Sequence, residues 1–510
     1  MTRATSHTHA APAALTTIAP LIVACCVGLL SIDGGFVYDD SRAILGSPFV
    51  QGEVPLSSGL ETDFWGQSLD APKTSWRPAI PFVWRVLWSL GNGSPVPFHV
   101  LSLVLHCCLV LGAYRLLRCL RIPYATVAAC LIACHPLRSE AVGALVAHAD
   151  LASMAALLFA LADMIAERYR AWRSFVFFVL ACLAKESAVL FAPLFLLICI
   201  LRPPASRAGY VPPVLCLVFS GALTYLQLSL SRPDIHAIDN LYVLADGLGR
   251  ILLAFHSVGR SLGLLFIPTN LAPNHGYAAV TLDITTLTPG AIGGLAATCI
   301  GVVGTIWSVR SRRLDVLTLL ALGFAPLLLQ SSLLVTSLTG LAERLLLGPV
   351  VAFCALAVQL GHVIRSNLRP TLTVAVITVY VLLSVPAQRA WTSEATLWAH
   401  AVDSEPLAIR SHTNRATTAF REGDLATYFW HQLVATWLHR QLPEPVDTAR
   451  LERASAMTEQ PKWLYAMGVL SPDGPCELAV AWLSSAFRDR QRALRAWAQL
   501  ERKYRCPSLK

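Results

Sequence analysis

Residues 175–200 read FVFFVLACLAKESAVLFAPLFLLICI. Apart from Lys185-Glu186 and Ser187, every side chain is apolar. A surface helix of a soluble protein alternates an apolar stripe with a polar face, and this stretch has no polar face. A bilayer core takes about 20 helical residues. The run therefore reads as a short outward membrane helix ending near Lys185-Glu186, followed by an inward one. Similar runs lie at Ala14–Leu30, Val100–Ala113, Val211–Leu230, Ala291–Trp307 and Val316–Leu338. One such run is compatible with a signal peptide or a core helix; so many are not. Ala14–Leu30 ends poorly for cleavage and reads as a retained signal anchor.

Composition agrees. Of 510 residues 55% are hydrophobic and 14% charged, with mean hydropathy +0.56, whereas soluble domains carry about 25% charged residues. The net charge of +9 sits largely in clusters between apolar runs: Arg115, Arg118 and Arg121; Arg168, Arg170 and Arg173; Arg310, Arg312 and Arg313; Arg365 and Arg369. Such clusters mark cytoplasmic loops, so the basic balance reports topology and no nucleic-acid partner is expected. The 14 cysteines lack metal-ligand spacing and mostly sit in apolar runs, where cysteine acts as a small hydrophobe.

The expectation is an all-α protein. Residues 1–385 form a polytopic membrane helix bundle of about 11 or 12 spans, with a large external loop over 33–96 whose segment Ile80–Leu90 lies in the interface. Leu241–Ile267 breaks the alternation and reads as re-entrant, or as a sign that the helix before it is misplaced. Residues 386–510 form a small external helical domain. Within it, Pro406 to Gln432 has the Ala416–Gly423–Ala426 skeleton of one degenerate tetratricopeptide-type helix pair, and Cys476–Tyr504 also has helical spacing.

Ionisable residues at membrane depth are costly and raise a functional question. Under this topology they share the external face: Tyr38-Asp39-Asp40 after the first helix; His135, Glu140, His148 and Asp150 around the next external turn, the last two placed about two turns into a helix; Lys185-Glu186; and Glu343-Arg344. Each has a plain structural reading as a helix cap, a first-turn acid or a bundle ion pair. Their common face is what points to a site. The matching chemistry is glycosyl transfer from a membrane-anchored phosphate donor, in which a carboxylate takes the acceptor proton and cations hold the leaving phosphate. Asp39 or Asp40 suits the first role; Arg77, Lys185, Arg344 and the histidines suit the second. In an extended segment adjacent side chains face opposite ways, so one acid acts and the other is structural. Asp40 is favoured as the base, since Asp39 adjoins Tyr38 and the helix end.

These residues resemble the transmembrane-and-tetratricopeptide (TMTC-type) O-mannosyltransferases of the GT-C superfamily. The resemblance rests on motifs in order: Phe36-Val37-Tyr38-Asp39-Asp40; Trp76-Arg77-Pro78; Pro97-Phe98-His99 with His106; His135-Pro136 with Glu140-Ala141-Val142 and Asp150-Leu151; Lys185-Glu186; Ile267-Pro268 with Leu271; Ala342-Glu343-Arg344 before Pro349; and Trp391, Glu394, Leu397 and Trp398. Ser102 stands where the family usually has Asn, His148 where it has Arg, and Leu346 where an aromatic is common.

The resemblance implies a GT-C-like fold and an inverting enzyme. Asp39 and Asp40 would hold the catalytic base, while Arg77, His135, Glu140, His148, Asp150, Lys185, Glu186, Glu343 and Arg344 would bind the donor phosphate. The donor would be a polyprenyl- or dolichyl-phosphate sugar, mannose in relatives, and the acceptor a protein reached through the C-terminal helices. No cofactor is expected, with a divalent metal left open. The host would be a bacterial inner membrane or endoplasmic reticulum, with site and C-terminus on the periplasmic or lumenal side. The alternatives are a GT-C enzyme glycosylating a lipid or glycan, or a non-catalytic scaffold or transporter.

Overall fold

The computed structural model describes residues 13–71, 75–230, 240, 245, 247–275, 287–333 and 340–440. Helices dominate, and no strand occurs among the described residues. α1 (Ala13–Gly28) leads to a loop carrying the short helices α2 (Asp40–Ala43) and α3 (Pro48–Gln51) and then α4 (Ala79–Gly91). The bundle continues through α5 (Val96–Cys119), α6 (Ala125–Cys134), the short α7 (Ser139–Gly143), α8 (His148–Ile165), α9 (Ala171–Ala184), α10 (Ala192–Leu201) and α11 (Val211–Leu230). α12 (Gly247–Phe266), α13 (Pro289–Arg310), α14 (Leu314–Gln330), α15 (Leu347–Leu360) and α16 (Arg369–Ala390) complete it, and α17 (Glu394–Ser404), α18 (Ile409–Arg421) and α19 (Leu425–Arg440) follow.

Six of these segments are long and apolar enough to cross a membrane: Val96–Cys119, Leu145–Ile165, Arg207–Leu230, Pro289–Arg310, Glu343–Leu360 and Arg369–Ala390. The chain is a multi-pass membrane protein. The Leu145–Ile165 segment is the centre of the bundle, 78% buried along its apolar window, whereas the α13 and α16 segments are only 17% buried and face outward. α4 has the amphipathic character read from the sequence: Ile80, Trp84 and Pro81 are buried, and Val83, Val86 and Leu90 point out.

Two readings change. The helix expected from about 142 is broken, because Ala144 is extended (φ −79°, ψ 122°) and separates α7 from a 3₁₀ turn at Leu145–Ala147. His148 and Asp150 therefore open α8 instead of lying two turns inside a helix. Leu241–Ile267, read as re-entrant, contains one continuous helix, α12, which carries Arg250, His256 and Arg260 and is not among the six spanning segments. α18 and α19 form an antiparallel pair turning at Gly423, where φ is +76°. Cys476–Tyr504 lies outside the described residues.

α12 and α13 pack backbone against backbone. A Cβ on Gly294 would sit 1.8 Å from the Phe255 carbonyl oxygen, and one on Gly259 would sit 1.9 Å from that of Gly290. Small residues allow such approach between membrane helices. Gly293, one residue away, has nothing within 4 Å of its Cβ position. Gly294→Ala is expected to lower stability by about 3 kcal/mol, the upper end of overpacking costs, and Gly293→Ala to change it little. Thermal melting of the two detergent-purified variants checks this; equal melting would contradict the packed crossing.

Candidate active site

The acidic pair enters the bundle on a turn that the chain has to be forced into. Tyr38 is left-handed, φ +55°, at a cost of about 1–2 kcal/mol for an L-residue. Its N–H donates to Glu394 Oε1 at 2.6 Å, and its ring packs edge-on against Trp398 with centroids 4.9 Å apart. Asp39 follows in helical backbone (φ −64°, ψ −21°), so the two acids are not on opposite faces of an extended segment.

Their surroundings differ. Asp40 is fully buried and accepts the N–H of Val37 at 3.1 Å on one oxygen and that of Val146 at 2.9 Å on the other. It ties the loop to the 3₁₀ turn before α8, and burial pushes its carboxyl up to about 7. Asp39 is half-buried in the combined field of Arg344, Arg410, Arg42 and Glu140, with burial raising its carboxyl above the usual range.

One ion pair lies beside it, and two more adjoin that pair through Arg344. Glu140, buried, accepts the Arg344 backbone N–H at 2.8 Å and pairs with its guanidinium. Lys185 pairs with Asp150, both largely buried. Arg77 makes a fork to both oxygens of Glu186 at 2.6 Å and stacks over Phe64 at 4.9 Å. The three cations are close enough to act on one another electrostatically. A cleft beside them is lined by Asp150, Lys185 and Arg344 together with apolar residues that include Leu157, Phe191 and Leu329.

The remaining candidates stay outside this cluster. His135 is engaged on both nitrogens, accepting the Leu137 N–H at 3.3 Å and donating to the Leu265 carbonyl at 3.2 Å; it serves as the helix terminus that was its plain reading. Glu343 turns away from Arg344's partners and accepts from Ala272 N at 2.7 Å and His275 Nε2 at 2.9 Å. His275 in turn donates from Nδ1 to Glu405 at 3.0 Å, and Glu405 also pairs with Arg260. This buried relay was not legible in the sequence, because its members are scattered over 145 positions with no common motif. Among the described residues no three His, Cys, Asp or Glu side chains form a metal-ligating group.

The chain is 24% identical over 396 residues to protein O-mannosyl-transferase F38B6.6 of Caenorhabditis elegans, covering 76% of this chain and 57% of that protein. It is 36% identical over 172 residues to Tmtc1 of Drosophila melanogaster, 32% of this chain and 20% of the relative. With mouse TMTC4 it shares 34% over 175 residues, 30% and 23% of the two chains. The chain is similar to TMTC-type protein O-mannosyl-transferases. It spans just over half of the worm relative and about a fifth of the other two. No family model matches, and no solved structure matches.

Two departures from the TMTC-type pattern touch each other. Trp84 Nε1 donates to His148 Nδ1 at 2.9 Å, which leaves Nε2 to donate to Ser102 Oγ at 2.8 Å. The pair fills its space with a satisfied neutral contact, and His148 is thereby kept from the cationic cluster.

The His275 relay carries a pH dependence. Flanked by Glu343 and Glu405, His275 is raised from 6.5 to about 9. A raised value means the stabilisation is complete below about 6.5 and is lost as pH rises through about 9. The melting temperature is expected to fall across that upper range, and His275→Gln to lower it at neutral pH and flatten the slope. A wild-type profile level up to about pH 10 would contradict a charged bridge.

Proposed function

We propose that the chain is a membrane glycosyltransferase that moves a sugar from a polyprenyl-phosphate donor to a protein hydroxyl, on the external or lumenal side. The names of its relatives favour mannose and a protein acceptor. The observation that carries the reading is a cleft lined both by the charged Arg344 and Lys185 and by apolar side chains, with Asp39 in the field of Arg344. A phosphate on a hydrocarbon chain has the same two-part character.

In this reading Arg344, Lys185 and Arg77 hold the phosphate, with Glu140, Asp150 and Glu186 fixing their positions. Asp39 takes the proton from the acceptor hydroxyl as its oxygen bonds to the anomeric carbon. The bond from that carbon to the phosphate oxygen breaks on the opposite face, which inverts configuration. The phosphate leaves with the electron pair, and the cations stabilise the charge as it develops. α17 and α18, in the proposed external helical domain, approach the site through Glu394 and Arg410, on the side from which a protein acceptor would come.

The roles of the two acids separate under mutation. Asp39→Asn is expected to lower turnover by about 10²–10⁴-fold, the usual loss for a general base, with normal melting. Asp40→Asn leaves a backbone N–H facing an amide N–H and should cost about 1–3 kcal/mol of stability with turnover largely kept. Transfer from a panel of radiolabelled polyprenyl-phosphate sugars to pooled Ser/Thr peptides, with melting measured in parallel, tests this. Near wild-type transfer by Asp39→Asn removes it as the base, and no transfer by the wild-type chain from any donor overturns the reading.

A further inference from the structure

α17 holds the two sides of the candidate site from its two ends. At its start, Glu394 accepts the Tyr38 N–H on one oxygen at 2.6 Å and the Trp398 indole N–H on the other. One residue before its N-cap, the Thr392 carbonyl accepts the Gly35 N–H at 3.0 Å. Trp391 packs so closely on Gly143 that a Cβ there would lie 2.5 Å from the indole side chain. At the far end, Glu405 holds His275, which holds Glu343, the neighbour of Arg344. Asp39 follows the residue fixed by Glu394, and Arg344 follows the residue fixed through Glu405.

We propose that α17 is a strut that sets the position of Asp39 relative to Arg344, with Glu394 as a positioning residue for the transfer reaction. This rests on the assignment of Asp39 as the base. The physical reason lies in the Tyr38 turn. A non-glycine residue with φ +55° persists only where its surroundings over-determine it. Glu394 supplies the bond that fixes the amide of that residue, and Trp398 supplies the ring that fixes its side chain. Both come from α17, so undocking α17 takes away two of the contacts that hold the turn, leaving those that Asp40 makes to Val37 and Val146.

The chemistry of Glu394 makes a discriminating test. A carboxylate accepts two hydrogen bonds from two donors; an amide in its place must turn its NH₂ toward one of them. Glu394→Gln therefore loosens either Tyr38 or Trp398. Removing the indole donor with Trp398→Phe resolves the conflict and lets the amide oxygen take the Tyr38 N–H.

The full-length chain in detergent is measured in two ways: hydrogen exchange of the 34–43 segment, and transfer kinetics with polyprenyl-phosphate mannose and pooled Ser/Thr peptides. Glu394→Gln is expected to speed exchange in 34–43 while α8 stays protected. It is expected to lower kcat on the order of 10²-fold, as a misplaced group about 1 Å off does, with the donor KM nearly unchanged. The Glu394→Gln/Trp398→Phe double variant should recover much of both losses. A purely stabilising role predicts the reverse, since the double variant also loses a buried Trp. Unchanged exchange in Glu394→Gln, faster exchange with unchanged kcat, or a double variant worse than the single one each overturns the strut. If the wild-type chain transfers nothing, or Asp39→Asn transfers normally, the catalytic assignment falls and with it the claim that Glu394 positions a base, whereas the exchange result still decides whether α17 fixes the turn.

Discussion

The ion pair between Glu140 and Arg344 joins segments 204 residues apart at the centre of the candidate site. Glu140 is 1% exposed. A carboxylate in that setting is tolerated only with a cation and further donors, and Arg344 provides a guanidinium and a backbone N–H together. Once that pair is made, the chain after α6 and the chain before α15 are fixed against each other. Asp150 with Lys185 and Arg77 with Glu186 then close around the same point, which links α8, the α9–α10 junction and the loop before α4 to it.

Apart from Arg77, which lies in the loop before α4, these charged residues stand at or close to breaks in the helical chain. His135, Ala144, Lys185 and Ala342 are all extended, and each is followed by a 3₁₀ turn, at Pro136–Arg138, Leu145–Ala147, Glu186–Phe191 and Glu343–Leu346. Non-helical backbone at membrane depth survives where it is buried in protein or lines a cavity. Freed N–H groups at these breaks find side-chain acceptors: Val146 N on Asp40, Arg344 N on Glu140, Leu137 N on His135. The charges and the breaks are therefore mutually dependent. The carboxylates satisfy the broken backbone, and the breaks turn the side chains inward toward one another.

The departures from the TMTC-type pattern fit the same economy of satisfied groups. Where an arginine would bring a permanent charge, His148 makes a neutral chain of contacts with Trp84 and Ser102. The cationic cluster is left to Arg77, Lys185 and Arg344, which enter from the loop before α4, the α9–α10 junction and the segment before α15. Because they come from distant parts of the chain, the site exists only when the bundle has closed.

The sequence by itself determined the all-α membrane architecture, since apolar runs at bilayer length and clustered arginines act locally and need no tertiary information. It also marked Glu140, Asp150, Lys185, Glu186 and Arg344, because ionisable residues stand out against apolar surroundings, and their order matched a known pattern. Its choice between Asp39 and Asp40 assumes an extended chain, whereas Tyr38 is left-handed and Asp39 is in helical backbone. It credited His135, His148 and Glu343 with a place among the cations, because composition cannot tell which way a side chain turns at a helix break. His275, Glu405 and the reach of Glu394 back to Tyr38 across 356 positions were decided only by tertiary structure. A carboxylate's partner is set by which donor the fold brings within hydrogen-bonding distance, and sequence spacing carries no record of that.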